Sequence, residues 1–250
     1  MSKLSRLGSI LFAIPLAVFG IQYLSYGRFV RGLPPVSASL SGLPLLAYPL
    51  GVVLVMSAAG ILLLKAARFS AQVVAALFLF CFVCLHIPHV ARHTHQPDPW
   101  TGAFETLAMG GAALGLAAVC STQNGDRKGV GLATIGRLIY AVALPVFAIQ
   151  HFIYARFIAG LVPAWIPGRL FWAYFVGVAF LAASGAMLAD KMTYAAAVSL
   201  GTMFLIWVVI LHTPRVFSMR HGDELTSLFV AMAMSGGAWM IAGDARKRYS

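Results

Sequence analysis

At 250 residues the chain could form one or two soluble domains, but 60% of it is hydrophobic, 10% is charged and its mean hydropathy is +0.87. That composition leaves too little polar surface for a soluble globule, so an integral membrane protein that crosses the bilayer repeatedly is expected. The net charge of +11 then points to Lys and Arg at the membrane boundary, facing anionic headgroups, and away from nucleic acid. The three cysteines fall inside apolar segments and imply no disulfide framework.

In chain order, apolar segments run over 9–26, 44–64, 70–90, 102–120, 133–153, 170–189, 193–212 and 225–243. Each approaches the ~20 residues a helix needs to cross ~30 Å of hydrocarbon. Backbone groups in lipid must pair within the segment, and no barrel-type alternation is visible, so the expected class is an all-α membrane protein with eight transmembrane helices. The first apolar run imitates a signal peptide, but it lacks a small-x-small cleavage site and its pattern returns from residue 133, so it reads as a retained helix. The polar, glycine-punctuated linker at 121–129 divides the chain into 1–125 and 126–250.

Those two units repeat each other. Leu85-His86-Ile87-Pro88 returns as Leu211-His212-Thr213-Pro214. Ile21-Gln22-Tyr23-Leu24-Ser25-Tyr26-Gly27-Arg28-Phe29 aligns with Ile149-Gln150-His151-Phe152-Ile153-Tyr154-Ala155-Arg156-Phe157, and Gly32-Leu33-Pro34 echoes Gly160-Leu161-Val162-Pro163. Tyr48-Pro49-Leu50-Gly51 aligns with Tyr174-Phe175-Val176-Gly177, and Gly110-Gly111-Ala112 with Gly236-Gly237-Ala238. Four helices per unit make the repeat parallel, related by an axis along the membrane normal. Eleven of the 18 Lys and Arg residues, including every lysine, collect on the face that carries both termini. By the positive-inside rule that face is cytoplasmic in a bacterial-type cytoplasmic membrane. The other face carries seven arginines, four of the seven acidic residues and the His-rich loops, which are then outside.

The candidate site residues gather toward that outer face. Gln22, Tyr26 and Arg28, with Gln150, His151, Tyr154 and Arg156, end the first helix of each unit and offer the donors and titratable groups that a quinone-type or lipid-like ligand would meet. The ordinary alternative is a helix end in the headgroup layer, where Tyr, His and Arg sit regardless of function. His86 and His212 hold equivalent positions and could ligate haem or a metal across the repeat axis, while His86, His89, His93 and His95 have metal-like density. Against this stand an interfacial His bonded to a neighbour, a Pro that ends the helix, and a solvated loop. The Cys81-x-x-Cys84 pair lies midway along a helix and is absent from the second unit, which favours packing.

Gln150-His151-Phe152-x-Tyr154-x-Arg156-Phe157, Pro163-Ala164-Trp165-Ile166-Pro167, Trp172-Ala173-Tyr174-Phe175-x-Gly177 and the closing His-x-Pro together resemble the DoxX-like membrane family. The resemblance covers nearly the whole chain, as two fused four-helix units. It implies a membrane subunit of a redox complex, associated with quinone-linked oxidation and with partner subunits, and names quinone ahead of haem or a metal as the bound group. The first unit departs from the pattern, with Tyr23 in place of His151 and a Ser-rich loop in place of Trp165. A non-catalytic assembly subunit is the alternative. A small-molecule transporter is disfavoured because the helix cores carry almost no charge, no acidic relay and no inverted repeat.

Overall fold

In the computed structural model, residues 1–29, 44–64, 66–123, 128–218 and 222–249 are described, and among them there are helices and turns but no strand. The helices are α1 (Lys3–Tyr26), α2 (Ala47–Leu62), α3 (Ala67–Arg92), α4 (Pro97–Gln123), α5 (Lys128–Ile153), α6 (Ala155–Leu161), α7 (Arg169–Leu188), α8 (Thr193–Ser218) and α9 (Gly222–Tyr249). Seven of them are long and apolar enough to cross a membrane, which marks the chain as an integral membrane protein. The Gly32-Leu33-Pro34 echo, the rest of the Ser-rich loop, and the 125/126 boundary lie outside the described residues.

The expected span at 44–64 is the exception. It forms a three-residue 3-10 turn, Pro44–Leu46, followed by the 16 residues of α2. At 1.5 Å per residue such a helix covers only about 24 Å. Its end is fixed from outside: Arg6 on α1 donates to the carbonyls of Ile61 and Leu62 at 3.3 and 2.7 Å, and Leu64 turns to φ 60°. Arg137 on α5 does the same for α7, donating to the Met187 carbonyl and pairing with Asp190 at 2.9 Å.

Proline 88 was expected to end α3, yet the helix continues to Arg92. A proline removes one N–H, and its ring collides with the carbonyl four residues back. Here the helix widens into a π turn over Phe82–His86, with the Ile87 N–H bonding the Phe82 carbonyl five residues back. The extra residue relieves the collision and keeps the helix running. The same device recurs at Val208–His212, where the Thr213 N–H and its hydroxyl both reach the Val208 carbonyl before Pro214.

The centre of the bundle is made by α1, α4, α5 and α9, with α4 and α9 the most enclosed. Each of α2, α3, α7 and α8 packs on the outside of these four, and α1 meets α9 much as α5 meets α4. The inner contacts are backbone against backbone. A Cβ at Gly8 would lie 2.6 Å from the Gly236 carbonyl oxygen, and one at Gly136 would lie 2.6 Å from that of Gly111. Only glycine allows so close an approach, which in lipid takes the place of a hydrophobic driving force between helices. Buried hydroxyls then stitch neighbours: Tyr140 to the Met234 carbonyl (2.8 Å), Ser184 to Ala141 (2.9 Å) and Ser235 to Gly201 (2.7 Å).

A cavity that joins the two halves of the chain

At one end of the bundle α4, α7 and α9 begin, while α5 and α8 finish. A cavity of about 310 Å³ opens between them, and α6 contributes Ile158 and Leu161 to its wall. Most of the lining is aromatic or aliphatic, from Phe147, Trp172, Phe180, Phe204 and Trp207. Trp172 and Trp207 meet edge to face at 6.3 Å. Into this apolar chamber project Thr101 and Glu105 from α4, Gln150 and His151 from α5, and His212 from α8.

Each polar group is held differently. Gln150 fastens α5 to the start of α4: its amide donates to the Pro97 carbonyl at 3.0 Å, and its oxygen accepts from the Thr101 hydroxyl at 3.0 Å. The His151 Nδ1 lies 2.8 Å from the Phe147 carbonyl one turn back, and the ring stands edge-on to Phe180 at 5.3 Å. A carbonyl can only accept, so Nδ1 carries the proton, and in the neutral ring Nε2 is left as an acceptor. His212 closes the second π turn, with its Nδ1 buried and unpartnered. Among the described residues, no group bonds the Glu105 carboxyl.

Of the residues singled out in the sequence, the structure thus brings Gln150, His151 and His212 together. Tyr154 forms the break between α5 and α6, and Arg156 is exposed on α6; neither lines the cavity. In the first half, Tyr26 and Arg28 are exposed, while Gln22 is only 5% exposed and its amide atoms have no hydrogen-bond partner among the described residues. Tyr23, where the second half has His151, is buried and packs edge-on to Phe29 at 5.7 Å. His86 is bonded through Nε2 to the Thr106 hydroxyl at 3.0 Å, a setting distinct from that of His212 in the cavity. The rings of His89 and His93 lie 4.5 Å apart, tilted by 42°, with the His93 Nδ1 bonded to the His89 carbonyl, and His95 is exposed. Among the described residues, no three His, Cys, Asp or Glu side chains are gathered around a point that could hold a metal ion.

Glu105 was missed as a site residue. Counted only among the charges of one face, it lies eight residues into α4, about 12 Å along the axis from Pro97. The signal was present in the sequence, since a carboxyl inside a membrane-length apolar segment is a functional candidate by default. Its presence removes the absence of core charge as an argument against transport. The packing also corrects one alignment. The paired close approaches equate Gly111 with Gly236, not Gly110 with Gly236, so the counterpart of Thr106 is Ala231. Ala231 lines the cavity, and its methyl leaves both space and an unbonded imidazole where the first half has a hydroxyl on its histidine.

The site combines an apolar, ring-lined chamber with three titratable groups, Glu105, His151 and His212, and it draws them from both halves of the chain. No protein-family model, no curated protein and no solved structure matches this chain.

Proposed function

We propose that this chain is a DoxX-like membrane subunit of a redox complex, built as two parallel four-helix repeats, and that its second half binds a ligand of the quinone class. The observation that carries this reading is the convergence of Glu105, His151 and His212 on one aromatic-walled cavity of about 310 Å³. That volume lies at the small end of ligand sites, enough for a ring-sized head and the start of a chain. The recurring π turns and the matched glycine approaches support the repeat. Tyr23 and Val230, in place of His151 and Glu105, make the first half a structural partner that lends Glu105 to the second.

A bound quinone exchanges two electrons and two protons, the electrons passing to or from a redox partner. The chain's own part is to bind and to move protons. Trp172, Trp207 and Phe180 flank the ring and keep bulk water out, while His151 Nε2, the Glu105 carboxyl and the His212 imidazole receive or return protons at its oxygens. Gln150 holds α4 and α5 at the spacing these groups need. The positive-inside bias puts this end of the bundle outside and the opposite end in the cytoplasm.

The test is quinone content. Protein purified from its native membrane in mild detergent is extracted and its quinone quantified against protein, with wild type compared to Glu105→Ala and His151→Ala. Near-stoichiometric quinone that both substitutions deplete is the expected result. A quinone-free protein that still co-purifies with a large partner would make it an assembly subunit instead.

A further inference from the structure

The cavity does not treat the two redox states of a quinone alike. His151 is fixed in one tautomer by the Phe147 carbonyl at 2.8 Å, so its neutral ring turns a lone pair, not a proton, to the ligand. A neutral Glu105 carboxyl has an O–H donor beside its acceptor oxygen, and a neutral His212 ring has one N–H and one lone pair, so each can pair with either redox state. No described residue bonds these atoms. Gln150 and Thr101 are engaged with each other and with Pro97, and the Ser227 hydroxyl bonds the Asp223 carbonyl. The indole N–H groups of Trp172 and Trp207 add further donors, which leaves His151 Nε2 as the group of this lining that can only accept.

From this geometry we infer that the cavity selects the reduced, hydroxyl-bearing form of its ligand, a quinol or related phenolic ring, over the quinone. The inference rests on the quinone-class reading of the same cavity. A quinone presents only carbonyl oxygens, so at His151 Nε2 lone pair would face lone pair and that acceptor would stay unpaired. A quinol donates an O–H to each of two acceptors. Sites built to pair a ligand hydroxyl discriminate strongly against an analogue that lacks it, because their own buried groups are then left unsatisfied.

The experiment uses the full-length chain in detergent micelles, titrated calorimetrically under anaerobic conditions with decyl-benzoquinone and with the same compound held as the quinol. Wild type is expected to bind the quinol at least about tenfold more tightly. His151→Phe keeps a ring against Phe180 but removes the acceptor, and Glu105→Gln keeps both a donor and an acceptor where the carboxyl was. His151→Phe should bring the quinol-to-quinone ratio toward one while Glu105→Gln leaves it near that of wild type, and if the Phe variant does not fold, His151→Leu carries the test. Quinone bound as tightly as quinol, or more tightly, overturns the inference and leaves the quinone-class reading intact. Binding of neither form overturns both. A wild-type ratio retained by the folded His151 variant overturns the assignment to this acceptor.

Discussion

Replacing Gly236 with alanine tests whether the centre of the bundle is held by direct backbone contact. The new Cβ would stand 2.6 Å from the Gly8 carbonyl oxygen, 2.7 Å from the Phe12 amide nitrogen and 3.0 Å from the Leu11 carbonyl carbon. All three are backbone atoms of α1, so no rotamer change relieves them. Ordinary contact begins near 3.4 Å, and α1 must therefore retreat from α9 by about 0.8 Å along the seam. Gaps of that size forfeit a quarter to a half of each van der Waals well they open. Overpacking itself costs about 1–3 kcal/mol, and the seam includes Phe12 and Leu16, which are fully buried. A total near 3 kcal/mol is expected. The control is Gly115→Ala on α4, whose added methyl meets nothing within 4 Å and should gain about 0.5–1 kcal/mol of helix propensity. Unfolding in mixed micelles, followed by far-ultraviolet circular dichroism as SDS is raised, separates the two. If Gly236→Ala unfolds at the same SDS fraction as Gly115→Ala, the close approach does not hold the bundle together and the reasoning fails.

Three further expectations use other contacts. Ala231→Thr should give His212 the hydroxyl that Thr106 gives His86, raising stability by up to about 1 kcal/mol while lowering ring-ligand affinity several-fold; unchanged affinity by calorimetry would break the link between that methyl and the cavity. Arg137→Met strips the partner from the Met187 carbonyl and from Asp190, and should cost about 2 kcal/mol in the same micelle assay, whereas a wild-type midpoint would show that α7 ends without it. Arg92→Cys should react with an impermeant maleimide added to intact cells, and labelling only after the inner face is opened would reverse the proposed orientation.

Much of the fold was legible because lipid enforces it. Apolar runs of about 20 residues must be helices, and the ones that begin near Lys3, Ala67, Gly129 and Arg169 are found where the pattern put them. What the pattern could not reveal was where a tertiary contact cuts a helix short. The apolar run at 44–64 reads as a full span, but Arg6, distant in sequence, takes the carbonyls of Ile61 and Leu62 and ends it. Nor does periodicity reveal a π turn, so Pro88 and Pro214 read as stops when the helix passes through both. The site was half visible. Gln150, His151 and His212 stood out because each recurs or nearly recurs in the other half, but recurrence hides whatever is unique to one copy. Glu105 and Ala231 have no matching partner at the equivalent positions, Val230 and Thr106, and both line the cavity.

The π turns carry a consequence for orientation. An α-helix advances about 100° per residue, so one inserted residue slips the phase of everything beyond it by that angle. In α8 the slip falls between Trp207, on the cavity wall, and His212, on the same wall five residues later. In a regular helix five residues amount to about 500°, and the two side chains would diverge by about 140° around the axis. The inserted residue cancels most of that divergence, so an indole and an imidazole face one chamber from a single strand of chain. Proline, by forcing the helix to widen just ahead of it, acts here as an angular adjuster: it decides which way a histidine looks.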